Sequence, residues 1–376
     1  MVEVNVETST GLRVTCNRDE LARQLSVVSR ALSMRSTVQI LSGVLLEASG
    51  ERLSLAATDM ELSLQVALDS QVDGEGRVVV PGRLLVELAR LLPPDDVVIA
   101  HRPDDGVVEV TCGAARYKLH TYGVEDFPRL PDASAATLFT VDRAAFVDTA
   151  IKVSRSASRD ESRPVLTGIL VRFEPGKLVM AATDAYRLSV KQTPLEAEAP
   201  ELEAIVPARA LVELGRIAQG EGELQLGVHE NQVVFTTDGT VLTTRRIDGQ
   251  FPNYSQLFPE TFEHELAIPR DELLDVVRRT AVMSQRNSPL RLRFAEGELT
   301  VSVQTQEVGE ARESMPVPFS GEPLEIGFNP DFLREGIESV EEDELRLKLI
   351  SPLRPAVIEV ESEDFSYLIM PIRLPG

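Results

Sequence analysis

The sequence predicts an α+β fold built as three copies of one unit, each with two helices and several short strands. Three observations carry this: an internal repeat of whole phrases, period-2 alternation in short apolar runs, and apolar residues at helical spacing between them. Ala56-Ala57-Thr58-Asp59 returns as Ala181-Ala182-Thr183-Asp184. The segment from Val79-Val80-Pro81 to Leu88 returns as Ile205-Val206-Pro207 to Leu214, and Asp126-Phe127-Pro128 returns as Gln250-Phe251-Pro252. All three offsets lie within a residue or so of about 125, which marks duplication rather than chance. A third, more diverged copy opens at Arg270-Asp271-Glu272-Leu273, the counterpart of Arg18-Asp19-Glu20-Leu21 and Arg143-Ala144-Ala145-Phe146. Its Phe328-Asn329-Pro330-Asp331-Phe332-Leu333 stands where the Val-Pro segment stands in the others.

Proline and polar residues at Pro131-Asp132-Ala133-Ser134 and at Pro259-Glu260-Thr261 read as linkers. The expected domains are therefore 1–134, with residues 1–11 as an extension that has no counterpart in the other copies, then 135–262 and 263–376. Within a unit, a short strand leads into the first helix. Alternating strands follow, as at Val44-Leu45-Leu46-Glu47-Ala48 and Leu53-Ser54-Leu55-Ala56. A second helix begins after the Val-Pro segment, and further strands close the unit.

Stepping about 100° per residue places Leu21, Leu25, Val28 and Leu32 on one face of the first helix and Arg23 and Arg30 on the other. The second copy sets Phe146, Ala150 and Val153 against Arg155 and Arg159, and the third sets Leu273, Val277 and Thr280 against Arg279 and Arg286. Asp148 and Asp275 interrupt the later basic faces. A single surface helix with arginine on its wet side means little. Three homologous ones in a chain of 60 acidic and 38 basic residues suggest arginines gathered on one surface. The second helices agree less evenly: Arg83, Arg90, Arg209 and Arg216 fit, but the third copy turns acidic through Glu335, Glu338, Glu341, Glu342 and Asp343.

Composition narrows the function. A formal net charge of −22 argues against broad nucleic-acid affinity, so any such contact must be local. The absence of tryptophan and 5% aromatics argue against stacking on single strands, leaving backbone phosphate contact. Apolar runs such as Val78-Val79-Val80 are far too short to span a bilayer, and the acidic, alternating start resembles no signal peptide. Cys16 and Cys112 lack a CxxC spacing, and His101, His120, His229 and His264 lack a metal-site pattern. We therefore expect a cytoplasmic protein with no metal and no cofactor. An enzyme is the rival class. Thr58-Asp59 and Thr183-Asp184 could suggest a nucleophile or a carboxylate pair, but recurrence at one place in two units points to turn amides held by threonine or aspartate. No GxSxG, GxxxxGK[ST] or GxGxxG motif is present, and Gly220-Glu221-Gly222 reads as a turn before a strand. No catalytic residue is expected.

Four segments then carry a family resemblance over essentially the whole chain: Ala182-Thr183-Asp184-Ala185-Tyr186-Arg187-Leu188, Asp248-Gly249-Gln250-Phe251-Pro252-Asn253-Tyr254, Ile326-Gly327-Phe328-Asn329-Pro330, and Tyr367-Leu368-Ile369-Met370-Pro371-Ile372-Arg373-Leu374. With the triplication, they resemble the bacterial DNA polymerase III beta-subunit (beta-clamp) family. The resemblance implies two small antiparallel sheets behind the helices of each unit, and two subunits joined head to tail as a six-domain ring with helices lining the hole. It implies a processivity factor that encircles double-stranded DNA without reading sequence. Its implied partners are replicative and repair DNA polymerases, a clamp loader and other proteins carrying short clamp-binding peptides. A paralogue specialised for repair or drug resistance would share the ring and differ in partners.

By position in the family's pattern, the resemblance places a peptide pocket at Leu166, Thr183, Tyr186, Arg187, Leu188, Pro252, Leu257, Leu368, Ile369, Met370, Pro371, Ile372 and Arg373. An apolar cleft of this kind takes leucine and phenylalanine anchors, with Met370 a pliable wall, although the same residues could simply seal a domain joint. Ala185 and Tyr186 stand where the family commonly has glycine and histidine, and Gln256 where a basic residue is common. The DNA-facing candidates are Arg35, Arg83, Arg155, Arg163, Arg209 and Arg279, with Pro164 and Val165 where some relatives carry tyrosines. Tyr117 and Leu119 match one side of a dimer interface and Val282 and Met283 the other, unless they are a buried strand and helix end.

Overall fold

The computed structural model describes residues 11–33, 37–131, 136–195, 200–229, 231–285, 288–360 and 364–374. Among them are six α-helices, two to each repeat: α1 (Arg18–Val28), α2 (Gly82–Leu91), α3 (Arg143–Ser154), α4 (Ala208–Ile217), α5 (Arg270–Ala281) and α6 (Pro330–Glu338). Caps and apolar spacing explain where they start. Asn17 accepts the amides of Asp19 and Glu20 to open α1, which buries Leu21, Leu25 and Val28. Asn329 accepts those of Asp331 and Phe332 to open α6. The expected wet-face arginines shift at the helix ends: α3 ends at Ser154, so Arg155 and Arg159 lie beyond it, Arg30 lies in the 3-10 turn that follows α1, and Arg286 is outside the described residues. The serines explain the end of α3: Ser154 Oγ donates back to the Ile151 carbonyl at 2.8 Å, competing with the helical ladder.

The strands are antiparallel throughout and most alternate, as in Leu62–Asp69, where every second residue is buried. Among the described residues they form two eight-stranded sheets, one of five strands and one of four. The chain separates into two compact units: residues up to Arg143 with Arg216–Arg246, and Ala144–Gly215 with Ile247 onward. These units cut through the second repeat instead of falling between repeats, because sheets run across the joints. In the first unit Thr240–Arg245 of the second repeat pairs with Leu62–Asp69 of the first, Thr244 opposite Leu62. In the second unit Arg187–Pro194 pairs with Phe365–Ile369 of the third repeat, Arg187 opposite Ile369. Each eight-stranded sheet is thus two four-stranded sheets fused edge to edge, which satisfies strand edges that would otherwise stay open.

Cys16 and Cys112 are both buried and free. Each pairs with Val97, from opposite sides, so the thiols sit two strands or about 10 Å apart, too far for a disulfide. Burial, helped by Asp96, pushes the Cys16 thiol up to about 12. Iodoacetamide at pH 8 is therefore expected to label Cys16 in the folded protein about a thousandfold more slowly than a free thiol, with the ordinary rate returning in urea. Mass spectrometry of timed samples checks this; fast labelling without denaturant would show that the sheet opens locally.

Candidate functional site

The repeated Thr-Asp phrase builds a tight turn at each fused edge. Thr183 Oγ1 donates to the Arg187 carbonyl at 2.6 Å and accepts the Ala185 amide at 3.1 Å. Asp184 Oδ1 accepts the amides of Tyr186 at 2.9 Å and Arg187 at 3.0 Å. In the first repeat, Thr58 accepts the Met60 amide, and Asp59 those of Glu61 and Leu62. These side chains are occupied in shaping the backbone, which is the turn role expected of them. The turn's third residue is left-handed in both copies, Met60 at φ 80° and Ala185 at φ 78°. Glycine adopts that conformation freely, so Ala185→Gly should gain about 0.5–1 kcal/mol, the relief of strain exceeding the added unfolded-state entropy. Urea titration of the two proteins tests this.

Beside that turn lies a cleft of about 420 Å³. Thr183, Arg187, Leu188, Leu257, Leu368 and Met370, all matched by position to the family's pocket, line it together. So do Ala185 and Gln256, and five residues the sequence reading did not assign to the pocket: Phe258, Pro259 (read there as linker), Leu353, Arg354 and Pro355. The only sequence signal for the last three was a proline-bracketed turn, Pro352-Leu353-Arg354-Pro355. Leu257, Leu353 and Met370 are 50%, 65% and 42% exposed, so the cleft offers apolar surface to solvent instead of sealing it away. Its floor is Leu188 and Leu368 packed with Val357 and flanked by Tyr254, Phe258 and Phe262.

The other expected pocket residues are not part of this lining. Ile369 is fully buried in the core of the third repeat, because neighbours on a strand face opposite ways and Leu368 takes the cleft side. Pro252 lines a separate hollow of about 260 Å³ with Tyr254 and Arg172. Tyr186 is exposed, its carbonyl accepting the Met370 amide at 2.9 Å. Ile372 donates its amide to the Gly327 carbonyl at 2.7 Å, while Leu166 and Pro371 are half-buried and Arg373 is exposed.

Arg187 points inward. Its guanidinium pairs with Asp184 at 3.1 Å and with Glu335, and sits 4.3 Å from the Phe332 ring centroid. It also donates to Tyr367 Oη at 3.4 Å, and that hydroxyl donates to the Phe332 carbonyl at 2.7 Å. Burial opposes the charge, but Tyr367 and Glu335 more than offset it, so the pKa is raised. Other acids of the third repeat near α6 do similar work. Glu338 accepts from Arg155 at 2.8 Å and Arg278 at 2.9 Å, and Glu341 lies 3.7 Å from Lys152. The acidic turn that spoiled the basic pattern of the third copy is thus the partner of basic residues in the second.

Of the DNA-facing candidates, Arg83 pairs with Glu87 at 2.9 Å, Arg163 with Asp160 at 3.1 Å and Arg279 with Glu313 at 2.8 Å. Such exposed pairs are screened by solvent, contribute little, and yield readily to a phosphate. Arg209 is exposed on α4, whose opposite face buries Ala210, Leu211 and Leu214. Arg35 lies outside the described residues. Tyr117 and Leu119 are on Ala115–His120, an edge strand of the five-stranded sheet, with Tyr117 42% exposed. Val282, 78% exposed, and Met283 follow the end of α5 in the other unit. The described residues contain no cluster of histidine, cysteine or carboxylates able to hold a metal, and no helix long and apolar enough to cross a membrane.

Comparison with known proteins decides the family. Models of the N-terminal, central and C-terminal domains of the DNA polymerase III beta subunit match residues 12–131, 140–253 and 255–373 in turn. The chain belongs to this family. These are the sliding-clamp processivity factors, non-catalytic subunits of replication. The beta sliding clamp of Streptomyces coelicolor is 33% identical, over 97% of this chain and 100% of its own length. Among solved structures, the C. crescentus beta sliding clamp has a TM-score of 0.91 at 29% identity, covering 97% of this chain and 100% of its own, and carries polyethylene glycol at a region proposed to tether beta motifs. The Pseudomonas aeruginosa clamp, bound to griselimycin, scores 0.89 at 27% identity with the same coverage.

Proposed function

We propose that two copies of this clamp close head to tail around double-stranded DNA, and that polymerases, repair proteins and a loader dock short peptides in the cleft beside Met370. The observation that carries the docking reading is the cleft itself, whose solvent-exposed Leu257, Leu353 and Met370 stand at the fused edge of two repeats. The domains assigned to the ring are 1–134, 135–262 and 263–376. Dimer closure is supported by the edge strand that bears Tyr117 and Leu119, and by the exposed Val282 beside Met283, which are patches suited to a heterologous contact that closes. DNA contact is supported by exposed arginines in weak pairs, suited to sliding because no single phosphate is held tightly. The setting is the cytoplasm, consistent with free thiols two strands apart.

The decisive experiment loads the protein on circular duplex DNA at moderate salt and then linearises the circle. Retention on circles with rapid loss from linear ends is the expected result, since the link is topological. Equal loss from both would leave only electrostatic contact and end the ring reading.

A further inference from the structure

A hollow of about 670 Å³ on the five-stranded sheet of the first repeat belongs to none of the sites above. The strand register builds it. Arg13 stands opposite Ala100, Ala100 opposite Glu109, and Glu109 opposite Lys118, so the four share one face of the sheet. Val98, Thr111 and Arg116 form the next row on that face. The other face is core, with Val14, Ile99 and Val110 fully buried. Val98, Ala100 and Thr111 are short, so the middle of the outer face stays open while longer charged side chains rise around it.

That rim is cationic. Arg13, Arg102 and Arg116 line the hollow against two carboxylates, Asp73 and Glu109. Arg13 lies 3.8 Å from Asp73, a long ion pair, and its side chain is more than half exposed. Arg102 and Arg116 share Glu109, at 2.9 and 3.1 Å, and both stay at least half exposed. Glu109 itself is buried, and its Oε2 receives no hydrogen bond among the described residues, so Arg102 lies beside that oxygen without aiming a hydrogen at it. Lys118, exposed and in register with Glu109, adds a cation on the same face. Four cations here face two carboxylates, in a chain of net charge −22. One guanidinium would neutralise Glu109; a pair with spare donors around an open floor is an arrangement that receives a second anion.

We propose that this hollow binds a chain of phosphoryl groups, as in pyrophosphate or a nucleoside triphosphate. Arg13 and Arg116 project from strands three spacings apart, roughly 14 Å between backbones. Linked phosphates engage guanidiniums from both sides of such a floor more readily than a single phosphate does.

The test is calorimetric titration of the full-length protein with pyrophosphate, deoxyadenosine triphosphate and sulfate, at one low ionic strength. Pyrophosphate and the triphosphate should bind at least about tenfold more tightly than sulfate. Arg13→Gln and Arg102→Gln, neither on the edge strand that bears the candidate dimer residues, should each weaken binding about three- to tenfold. Glu109→Gln should act with the opposite sign. It removes the carboxylate that competes for Arg102 and Arg116, so pyrophosphate should bind about three- to tenfold more tightly, which a purely structural role for the cluster does not produce. Equal affinity for the two ligands assigns the site to the phosphate chain, and a tighter triphosphate assigns it to a nucleotide. The proposal is overturned if neither binds below about 10 mM, if sulfate binds as tightly as pyrophosphate, or if a folded Glu109→Gln weakens binding. Affinity unmoved by both arginine variants, whose side chains are exposed and whose folding is therefore secure, overturns it as well.

Discussion

Replacing Arg187 with alanine should cost about 3–5 kcal/mol of stability, the largest single-residue effect expected in the second compact unit. The reason is what stays behind. Asp184 and Glu335 were brought to the guanidinium by the turn and by α6, and without it two carboxylates face each other with little solvent. Tyr367, buried beneath them, also loses one hydrogen bond, and the Phe332 ring loses its cation. The interaction joins the second repeat to the third, so its loss should loosen the edge where Arg187 pairs with Ile369. Urea titration measures the loss. The double variant Arg187→Ala, Glu335→Ala should be less destabilised than the sum of the singles by at least about 1 kcal/mol, since it leaves fewer orphaned charges. A cost below about 1 kcal/mol for Arg187→Ala would mean water already screens the cluster.

That prediction could not have been made from the sequence, and the reason is instructive. The phrase Thr183-Asp184 was legible as a turn because the information is local: short polar side chains bond amides two or three residues on. The amphipathic helices and alternating strands were legible because their periods are local too. Arg187 meets Glu335 across 148 residues, and nothing in composition or spacing connects them. The acids near α6 therefore read as noise in a basic pattern until the fold set them against Arg155, Arg187 and Lys152. The compact units were hidden for the same reason. Repeats are visible in sequence, but hydrogen bonds across the joints make whole sheets, rather than whole repeats, the units of packing. In the cleft, family position found one wall, Leu188 to Met370. The Leu353-Arg354-Pro355 wall was missed because a short loop carries no periodicity.

Met370→Ala should weaken a partner peptide about 10- to 100-fold while leaving the dimer intact. Met370 is 42% exposed, on the strand end that also presents Leu368, so its thioether is free to pack against an incoming side chain. Truncation to alanine removes most of that wall but almost none of the protein's own core, which keeps the stability cost small. Deleting residues 370–376 should abolish peptide binding. It removes the Met370 amide bonded to the Tyr186 carbonyl and the Ile372 amide bonded to Gly327, so the turn that frames the cleft loses its brace. The two changes thus separate contact from framework: the first lowers affinity by one wall, the second by the shape of the site. Anisotropy with a leucine–phenylalanine peptide measures both, and analytical ultracentrifugation reads the dimer in the same samples. The candidate interface residues Tyr117, Leu119, Val282 and Met283 are untouched by either change. Dissociation of the dimer by Met370→Ala would therefore show that this end of the chain belongs to the subunit contact and that the peptide binds elsewhere.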